Sequence, residues 1–369
     1  MILSKKLRTL DVAGSPLYLG QEALIELASQ LETVFKGKQN IFIIADKNTA
    51  RHCLPILLEQ VPILNRAYQI IVKPGEENKT IQTCEVIWSQ LAVMGANRHS
   101  LVINLGGGVV TDLGGFAAAT FHRGMAYINI PTTLMAMIDA GIGGKTGVDL
   151  ASLKNLVGLF SQPVGIFIWP GFLKTLPHRY VLSGYAEMMK HAAIADVDFW
   201  KKLLKMPMAL TKSWDDHIYH AALIKCKIVN GDPMETGSRR LLNFGHTIGH
   251  AFETYSLRHD ESPLSHGEAV AMGMICEAYI SYRMVDFPHP QRDELIKNIL
   301  LNFDHYNIDT SAIDELVEIT IYDKKNQNGN VMLTLLKEIG KAVEGQQCET
   351  ALVRESLFRY TDFRRHIVR

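Results

Sequence analysis

The feature that most constrains the fold of this chain is an apolar strand that runs directly into a glycine-rich turn. Leu101–Leu105 is apolar except for one asparagine, and Gly106–Gly108 follows it without a break. Such runs suit strands that are covered on both faces, as in a parallel sheet. A helix is predicted after the glycines, and N–H groups at a helix start attract phosphate. The order predicts an α/β unit, with either an anion site or a tight structural turn at the glycines.

Three further apolar runs repeat this arrangement in the N-terminal half. Each ends at a polar or turn-forming residue: Ile41–Ala45 at Asp46, Gln69–Val72 at Pro74, and Ala126–Ile130 at Pro131. A helical pattern lies between residues 80 and 94. Alternation of strands and helices is typical of an α/β architecture. We therefore predict a Rossmann-like parallel sheet, and Asp46, at a strand end, is the best candidate to bind a ribose.

The pattern changes after about Pro170, where helical periodicity dominates. Helices are predicted over residues 182–195, 217–229, 247–255, 268–282 and 291–302. Strand patterns almost vanish, apart from a possible short hairpin around Gln327–Asn330. We predict an α/β nucleotide-binding domain over residues 1–175 and an all-α domain over residues 176–369.

Composition excludes several classes of protein. Lysine plus arginine equals aspartate plus glutamate, at 38 each, so no excess of positive charge points to nucleic acid or an anionic membrane. The five cysteines are scattered without a C-x-x-C pair, which argues against a disulfide framework or a thiolate zinc site. No apolar stretch approaches the roughly 20 residues of a membrane span. Charges near Met1 occupy the place of a signal peptide's apolar region, so we expect a cytoplasmic protein.

Three segments of the C-terminal half offer metal ligands. Glu187 and His191 share a helix face by i,i+4 spacing, as do His246 and His250. His266 adds an imidazole at a predicted helix start. One carboxylate with imidazoles suits a catalytic divalent ion, zinc foremost. Spacing alone leaves His191 and His250 as rivals to His246 and His266, and with 14 histidines such pairs also arise by chance.

Cations and glycines are concentrated in the N-terminal half. Pro131–Gly147 is predicted to be a glycine-rich loop that carries Lys145, with Arg123 upstream and Lys154 downstream. The loop lacks the full pattern of a P-loop. A neutral chain that gathers cations around glycines is expected to bind an anion.

Taken together, these motifs resemble the 3-dehydroquinate synthases and their sugar phosphate cyclase relatives. The resemblance runs from about Asp46 to about Ala342. Its motifs are Gly106–Gly115, Pro131–Gly147, Lys154–Gly158, Leu176–Lys190, Arg239–His250 and His266–Val270.

The resemblance implies an N-terminal domain that binds NAD and a helical domain that binds zinc or cobalt through Glu187, His246 and His266. It implies contacts to NAD from Asp46, Glu76, Lys79, Gly107, Gly108, Val109, Asp112, Thr132, Thr133, Asp139, Lys145, Lys154, Phe172 and Thr175. It implies contacts to the substrate from Arg123, Lys145, Asn155, Lys190, Lys225, Arg239, Asn243 and His250, and from either Lys324 or Lys325. A homodimer is also expected.

The resemblance further implies conversion of 3-deoxy-D-arabino-heptulosonate 7-phosphate to 3-dehydroquinate and phosphate. A hydride passes to NAD, phosphate leaves, the hydride returns and an aldol step closes the carbocycle, without net redox change. His250, one turn from His246, would assist the proton transfers. Lysines and arginines would bind the carboxylate and phosphate of the substrate.

The sequence is compatible with three alternative functions. A related sugar phosphate cyclase would share the metal ligands, but Arg239, Asn243 and His250 favour the dehydroquinate reaction. A metal-dependent polyol or glycerol dehydrogenase would share the two-domain plan and would produce NADH. A non-catalytic binding protein should have broken metal or lysine positions, which this sequence retains.

Overall fold

A computed structural model describes residues 7–36, 40–150, 153–205, 213–322 and 330–367. Lys324, Lys325 and most of the predicted hairpin at Gln327–Asn330 lie outside these ranges. The chain forms two compact units, the first comprising Met1–Pro177 with Ser213–Pro233 and the second His178–Lys212 with Met234–Arg369.

The strands of the described residues are β1 (Arg8–Val12), β2 (Ser15–Leu19), β3 (Ile41–Asp46), β4 (Tyr68–Val72), β5 (Leu101–Gly106), β6 (Ala126–Pro131), β7 (Lys145–Leu150), β8 (Leu153–Phe160), β9 (Gly165–Ile168), β10 (Val331–Glu338) and β11 (Lys341–Cys348). The α-helices are α1 (Ala23–Glu32), α2 (Lys47–His52), α3 (Leu54–Gln60), α4 (Ile81–Val93), α5 (Gly108–Thr120), α6 (His178–Ala195), α7 (Val197–Leu204), α8 (Asp215–Gly231), α9 (His246–His259), α10 (His266–Met284), α11 (His289–Asn302), α12 (Thr310–Tyr322) and α13 (Thr350–Ile367).

The first unit is built on a seven-stranded sheet with the order β1-β2-β9-β6-β5-β3-β4. β1 and β2 pair antiparallel, and the other neighbours are parallel. Every residue of β5 is buried, as a strand covered on both faces requires. Phe42 and Val102 pack with Leu91 of α4 and Phe116 of α5 in one core cluster. The predicted parallel sheet is confirmed, and its four predicted strands are β3 to β6.

Two features of the first unit differ from the sequence predictions. Lys145–Gly147 was predicted within a loop, but it belongs to β7, which pairs with β8 from Lys145 opposite Phe160. A π-helix, Ala136–Ala140, forms part of the connection from β6 to β7. The predicted boundary at residue 175 assigns α8 to the C-terminal domain, whereas α8 packs on β1 and on the π-helix in the first unit. The division into an NAD-binding domain over residues 1–175 and a metal- and substrate-binding domain over residues 176–369 stays a prediction.

The second unit is mainly helical, and its predicted helices correspond to α6, α9, α10 and α11. The all-α prediction needs one correction, because β10 and β11 form an antiparallel hairpin from Val331 opposite Cys348 to Glu338 opposite Lys341. The hairpin was missed because the first six residues of Val331–Glu338 are apolar except for Thr334, a pattern that does not distinguish a strand from a buried helix. Within the described ranges, no helix combines the length and hydropathy needed to cross a bilayer.

Candidate functional site

A carboxylate and two imidazoles meet in the second unit. Glu187 lies on α6, while His246 and His266 are the first residues of α9 and α10. Oε1 of Glu187 lies 3.4 Å from Nε2 of His246 and 3.5 Å from Nε2 of His266. The three donor atoms lie within 4.8 Å of one another. One oxygen and two nitrogens at this spacing fit a single zinc or cobalt ion with positions left for another ligand.

Close packing of α9 on α10 brings the two histidines together. Gly245, which precedes His246, has a φ of +78°, and a Cβ there would lie 2.4 Å from Cγ of Met274. A Cβ on Gly273 of α10 would lie 2.0 Å from the carbonyl oxygen of Gly245. Glycine is therefore required at both positions. The group that approaches the turn before His246 is the backbone of the neighbouring helix α10.

In each of the two histidines, Nδ1 makes a hydrogen bond that fixes the orientation of the ring. Nδ1 of His246 lies 3.2 Å from the carbonyl oxygen of Phe244, and Nδ1 of His266 lies 3.3 Å from Oε2 of Glu253. Both neighbours are acceptors, so Nδ1 carries a proton in each ring, and Nε2 is the atom that can bind an ion beside Glu187. Both imidazoles are thus oriented to donate Nε2 to the same ion.

The two imidazoles have opposite electrostatic surroundings. Burial lowers the pKa of His246 well below its ordinary value, and the charge of Lys190 adds to this effect. Burial also acts to lower the pKa of His266, but the carboxylates of Glu253 and Glu187 outweigh it and raise that pKa to about 10. His246 is therefore neutral and ready to bind, whereas a cation at this position would displace a proton from His266.

The rival histidines occupy different places. The ring centroid of His250 lies 5.5 Å from that of His246 and 5.8 Å from that of His266, so it belongs to the same cluster. With Glu253 and His266 it forms a second possible group of donors. His191 is fully buried on α6. Geometry favours His246 and His266, because both direct Nε2 at the same oxygen of Glu187.

Besides His250, three predicted substrate residues lie in the described part of the same unit. Lys190, one turn after Glu187 on α6, is buried and forms an ion pair with Oε2 of Glu187. Arg239 is fully buried, and it shares with Asn243 the 3-10 helix Ser238–Asn243, which leads into α9. The unit therefore places two buried cations on elements that also carry or precede the candidate metal ligands.

In the first unit, candidate dinucleotide residues follow three neighbouring parallel strands. Asp46 ends β3, Gly107 and Gly108 follow β5, and Thr132 follows β6. The ends of adjacent parallel strands meet at one edge of the sheet, where α/β folds bind ligands. Gly107 is the N-cap of α5 and has no side chain to accept a hydrogen bond from the first turn. This arrangement suits a phosphate at the start of α5.

Asp46 also has a structural role that the sequence analysis missed. Its Oδ1 accepts hydrogen bonds from the backbone N–H groups of Asn48 at 2.7 Å and Thr49 at 2.9 Å. The Thr49 side chain in turn accepts from the N–H of Asp46, which completes a capping box at the start of α2. A single carboxylate oxygen caps the helix, and the ribose contact stays a prediction.

Lys79 is the centre of a buried charged cluster. Its Nζ lies 2.7 Å from Oδ2 of Asp112 and donates to Oδ1 of Asn155 at 2.5 Å. Burial acts to lower the pKa of Lys79, but Asp112 and Glu76 outweigh it and raise the pKa above its usual range. Asn155 adopts a φ of +52°, and Asp149 accepts a hydrogen bond from its N–H. Asn155, predicted to contact substrate, thus accepts a hydrogen bond from Lys79, which is predicted to contact NAD.

The other predicted site residues of the first unit lie on several different elements. Asp139 in the π-helix accepts from Nζ of Lys225 on α8 at 2.6 Å. Phe172 is buried in the 3-10 helix Pro170–Thr175, which also carries Thr175. Among the described residues, Arg123 forms no ion pair with another predicted site residue. The remaining predicted residues are Val109 and Thr133, which are partly buried, Lys145, which is exposed, and Lys154, which lies 4.0 Å from Glu76.

Three acidic residues that support these clusters were not predicted from the sequence. Glu253 lies seven residues after His246 on α9, so the helical spacing placed it on the same face. Glu277 is a solitary carboxylate in the buried stretch of α10, which was a sequence sign of a buried polar role. Asp149 had no such sign, because its partner Asn155 lies on the following strand, β8.

Comparisons with known proteins agree with this geometry. A family model described as 3-dehydroquinate synthase N-terminal matches residues 69–183, and one described as 3-dehydroquinate synthase C-terminal matches residues 184–326. The 3-dehydroquinate synthase of Parabacteroides distasonis is 39% identical over 341 residues, which cover 91% of this chain and 96% of the relative.

Solved structures give the same fold. A crystal structure of 2-deoxy-scyllo-inosose synthase has a TM-score of 0.81 and 25% identity, covering 96% of this chain and 99% of that one. The 2-epi-5-epi-valiolone synthase of Streptomyces hygroscopicus subsp. jinggangensis 5008, solved with NAD+ and Zn2+ bound, has a TM-score of 0.81 and 24% identity over the same shares. Fold and site define a two-unit α/β and helical protein with the architecture of sugar phosphate cyclases. Within that class, the chain belongs to the 3-dehydroquinate synthase family.

Proposed function

We propose that this chain is a 3-dehydroquinate synthase, which converts 3-deoxy-D-arabino-heptulosonate 7-phosphate to 3-dehydroquinate and phosphate. The observation that carries the proposal is the cluster of Glu187, His246 and His266, with buried Lys190 against the same carboxylate. The cluster supplies one divalent ion with an O,N,N donor set, and the lysine supplies a fixed cation for an anionic substrate. Membership in the family supports the reaction.

The residues present fit both cofactors that the reaction needs. Glu187, His246 and His266 would hold zinc or cobalt, which polarises a substrate hydroxyl and its neighbouring carbonyl when bound. The start of α5, together with Asp46 and Thr132, would hold NAD, which accepts and returns a hydride without net consumption. A relative of the same fold was solved with NAD+ and Zn2+, which supports this pair of cofactors.

The protein's own side chains would mainly bind and orient the substrate. Lys190 and Arg239 are buried cations whose charge is little screened by water, so they suit the substrate's carboxylate and phosphate. His250, whose ring lies in the histidine cluster, would move protons. Positioning of this kind, rather than new covalent chemistry, would supply much of the rate. The carbon–oxygen lyase class, a homodimer and a cytoplasmic location are further parts of the proposal.

The test is product formation by three variants of the metal-loaded protein. Wild type should release phosphate and form 3-dehydroquinate when supplied with the heptulosonate phosphate and NAD. His246→Ala should lose bound metal and product together, whereas His250→Ala should retain metal and lose at least about 100-fold in rate. His259→Ala, on the exposed end of the same helix, is the control and should change neither. Steady NADH production from a polyol, without phosphate release, would instead support a dehydrogenase.

A further inference from the structure

The start of α9 lacks the side chains that normally cap a helix. Its N-cap is Gly245, whose positive φ and contact with Met274 exclude a larger residue. The residue three positions later, Ile248, cannot return a hydrogen bond to the N-cap backbone. In a capping box, the N-cap side chain accepts from the backbone N–H three positions later. The side chain at that later position accepts from the N–H of the N-cap residue. Here both N–H groups must find an acceptor elsewhere.

Glu277 on α10 accepts both hydrogen bonds. Its Oε2 accepts from the N–H of Gly245 at 2.6 Å, and its Oε1 accepts from the N–H of Ile248 at 3.2 Å. The side chain is completely buried. A carboxylate at a helix N-terminus is stabilised by the helix dipole, which offsets part of the cost of burying the charge. One carboxylate from a neighbouring helix therefore replaces a complete capping box.

The capped turn carries His246, the residue directly after Gly245. Release of either N–H group would loosen the first turn of α9 and shift Nε2 of His246, which now lies 3.4 Å from Oε1 of Glu187. We propose that Glu277 is a positioning residue for the metal site, because it fixes the direction in which His246 presents Nε2. The inference rests on the proposed metal-binding function of the cluster.

The decisive variant is Glu277→Gln, which keeps the volume of the side chain. Its amide offers one acceptor, while its NH2 group would face the second backbone N–H, so one of the two hydrogen bonds is lost. We expect Co2+ affinity to fall at least about tenfold, with an altered Co2+ absorption spectrum and unchanged far-ultraviolet circular dichroism. Glu277→Asp, one methylene too short to reach both N–H groups, should weaken Co2+ binding in the same direction.

Ser281→Ala is the matched control on the same helix. Ser281 is equally buried, and its hydroxyl accepts from the N–H of Leu336 and donates to the carbonyl oxygen of Glu277, so its loss perturbs α10 without touching α9. It should retain wild-type Co2+ affinity and spectrum. Wild-type Co2+ binding by folded Glu277→Gln, or by Glu277→Asp if the first variant does not fold, would overturn the proposal. An equal loss in Ser281→Ala would also overturn it, whereas a wild-type protein that bound no Co2+ would refute the proposed function instead.

Discussion

The imidazole of His266 lies between the carboxylates of Glu187 and Glu253, which have different roles. Its Nε2 faces Glu187 at 3.5 Å, as a ligand would, while its Nδ1 faces Glu253 at 3.3 Å. A carboxylate behind a metal-binding imidazole fixes the ring and makes it a stronger donor. His246 has only a backbone carbonyl, that of Phe244, in the corresponding position. The two histidines therefore differ in how strongly they would bind an ion.

Replacing Glu253 should weaken metal binding without removing a ligand. In Glu253→Gln the amide keeps the volume but loses the charge behind His266, so zinc affinity should fall by about 10- to 100-fold. Competition with a chromophoric chelator measures the change. Glu315→Gln is the control, because Glu315 makes the same kind of contact with exposed His259, at 2.9 Å, outside the cluster. Zinc affinity that is equal in Glu253→Gln and wild type would contradict the assignment.

The sequence predicted the residue types of the site better than their partners. Helical spacing identified His246 and His250 as a pair but gave no reason to choose between them. The choice depends on which ring points at Glu187, and that follows from the packing of α9 on α10. The family resemblance proposed His246 and His266, and the geometry supports that choice. Glu277 could not be assigned from spacing, because its partner Gly245 lies 32 positions earlier in the chain.

The crossing of α9 and α10 is the structural element on which the cluster depends. Gly273 lies so close to α9 that an added Cβ would be 2.0 Å from the oxygen of Gly245 and 2.5 Å from the nitrogen of Gly249. Both are backbone atoms, so the contact cannot be relieved by a side-chain rotation. The distance between the two helices is therefore set by glycine, and the distance between His246 and His266 follows from it.

Gly273→Ala should push these helices apart. Overpacking of this kind typically costs about 1–3 kcal/mol, and a contact with backbone atoms places the expected loss of stability at about 3 kcal/mol. Metal affinity should fall as well, measured on the folded protein below its unfolding temperature. Gly345→Ala is the control, because Gly345 has a φ of +68° but no neighbour within 4 Å, so only about 1–2 kcal/mol of backbone strain is expected. If Gly273→Ala kept full metal affinity, the spacing of the helices would not govern the site.

Strands differed in how well the sequence predicted them. β3 to β6 were found because parallel strands buried on both faces are continuous apolar runs between turns. β1, β2, β7 and β8 were missed because polar residues interrupt their apolar ones, and their antiparallel partners are set by tertiary contacts. The hairpin of β10 and β11 was missed in a region where helical periodicity dominated. The capping box of Asp46 could have been predicted from Thr49, three residues later.

As a whole, the chain combines a neutral net charge with buried local charges. Lysine plus arginine equals aspartate plus glutamate at 38 each, yet Lys79, Lys190 and Arg239 are almost completely buried. Buried cations need anionic or polar partners, and Lys79 and Lys190 already have them in Asp112 and Glu187. Buried cations of this kind suit a small anionic substrate. The chain's membership in the 3-dehydroquinate synthase family agrees with this conclusion.

The central claim is that the chain uses NAD without consuming it, and turnover per NAD tests this most directly. Metal-loaded protein receives the heptulosonate phosphate in large excess over NAD, and phosphate release and NADH absorbance are followed together. We predict that the phosphate released exceeds the NAD present many times over, while NADH does not accumulate. Release that stops when one phosphate has formed per NAD, with NADH accumulating in equal amount, would contradict the account.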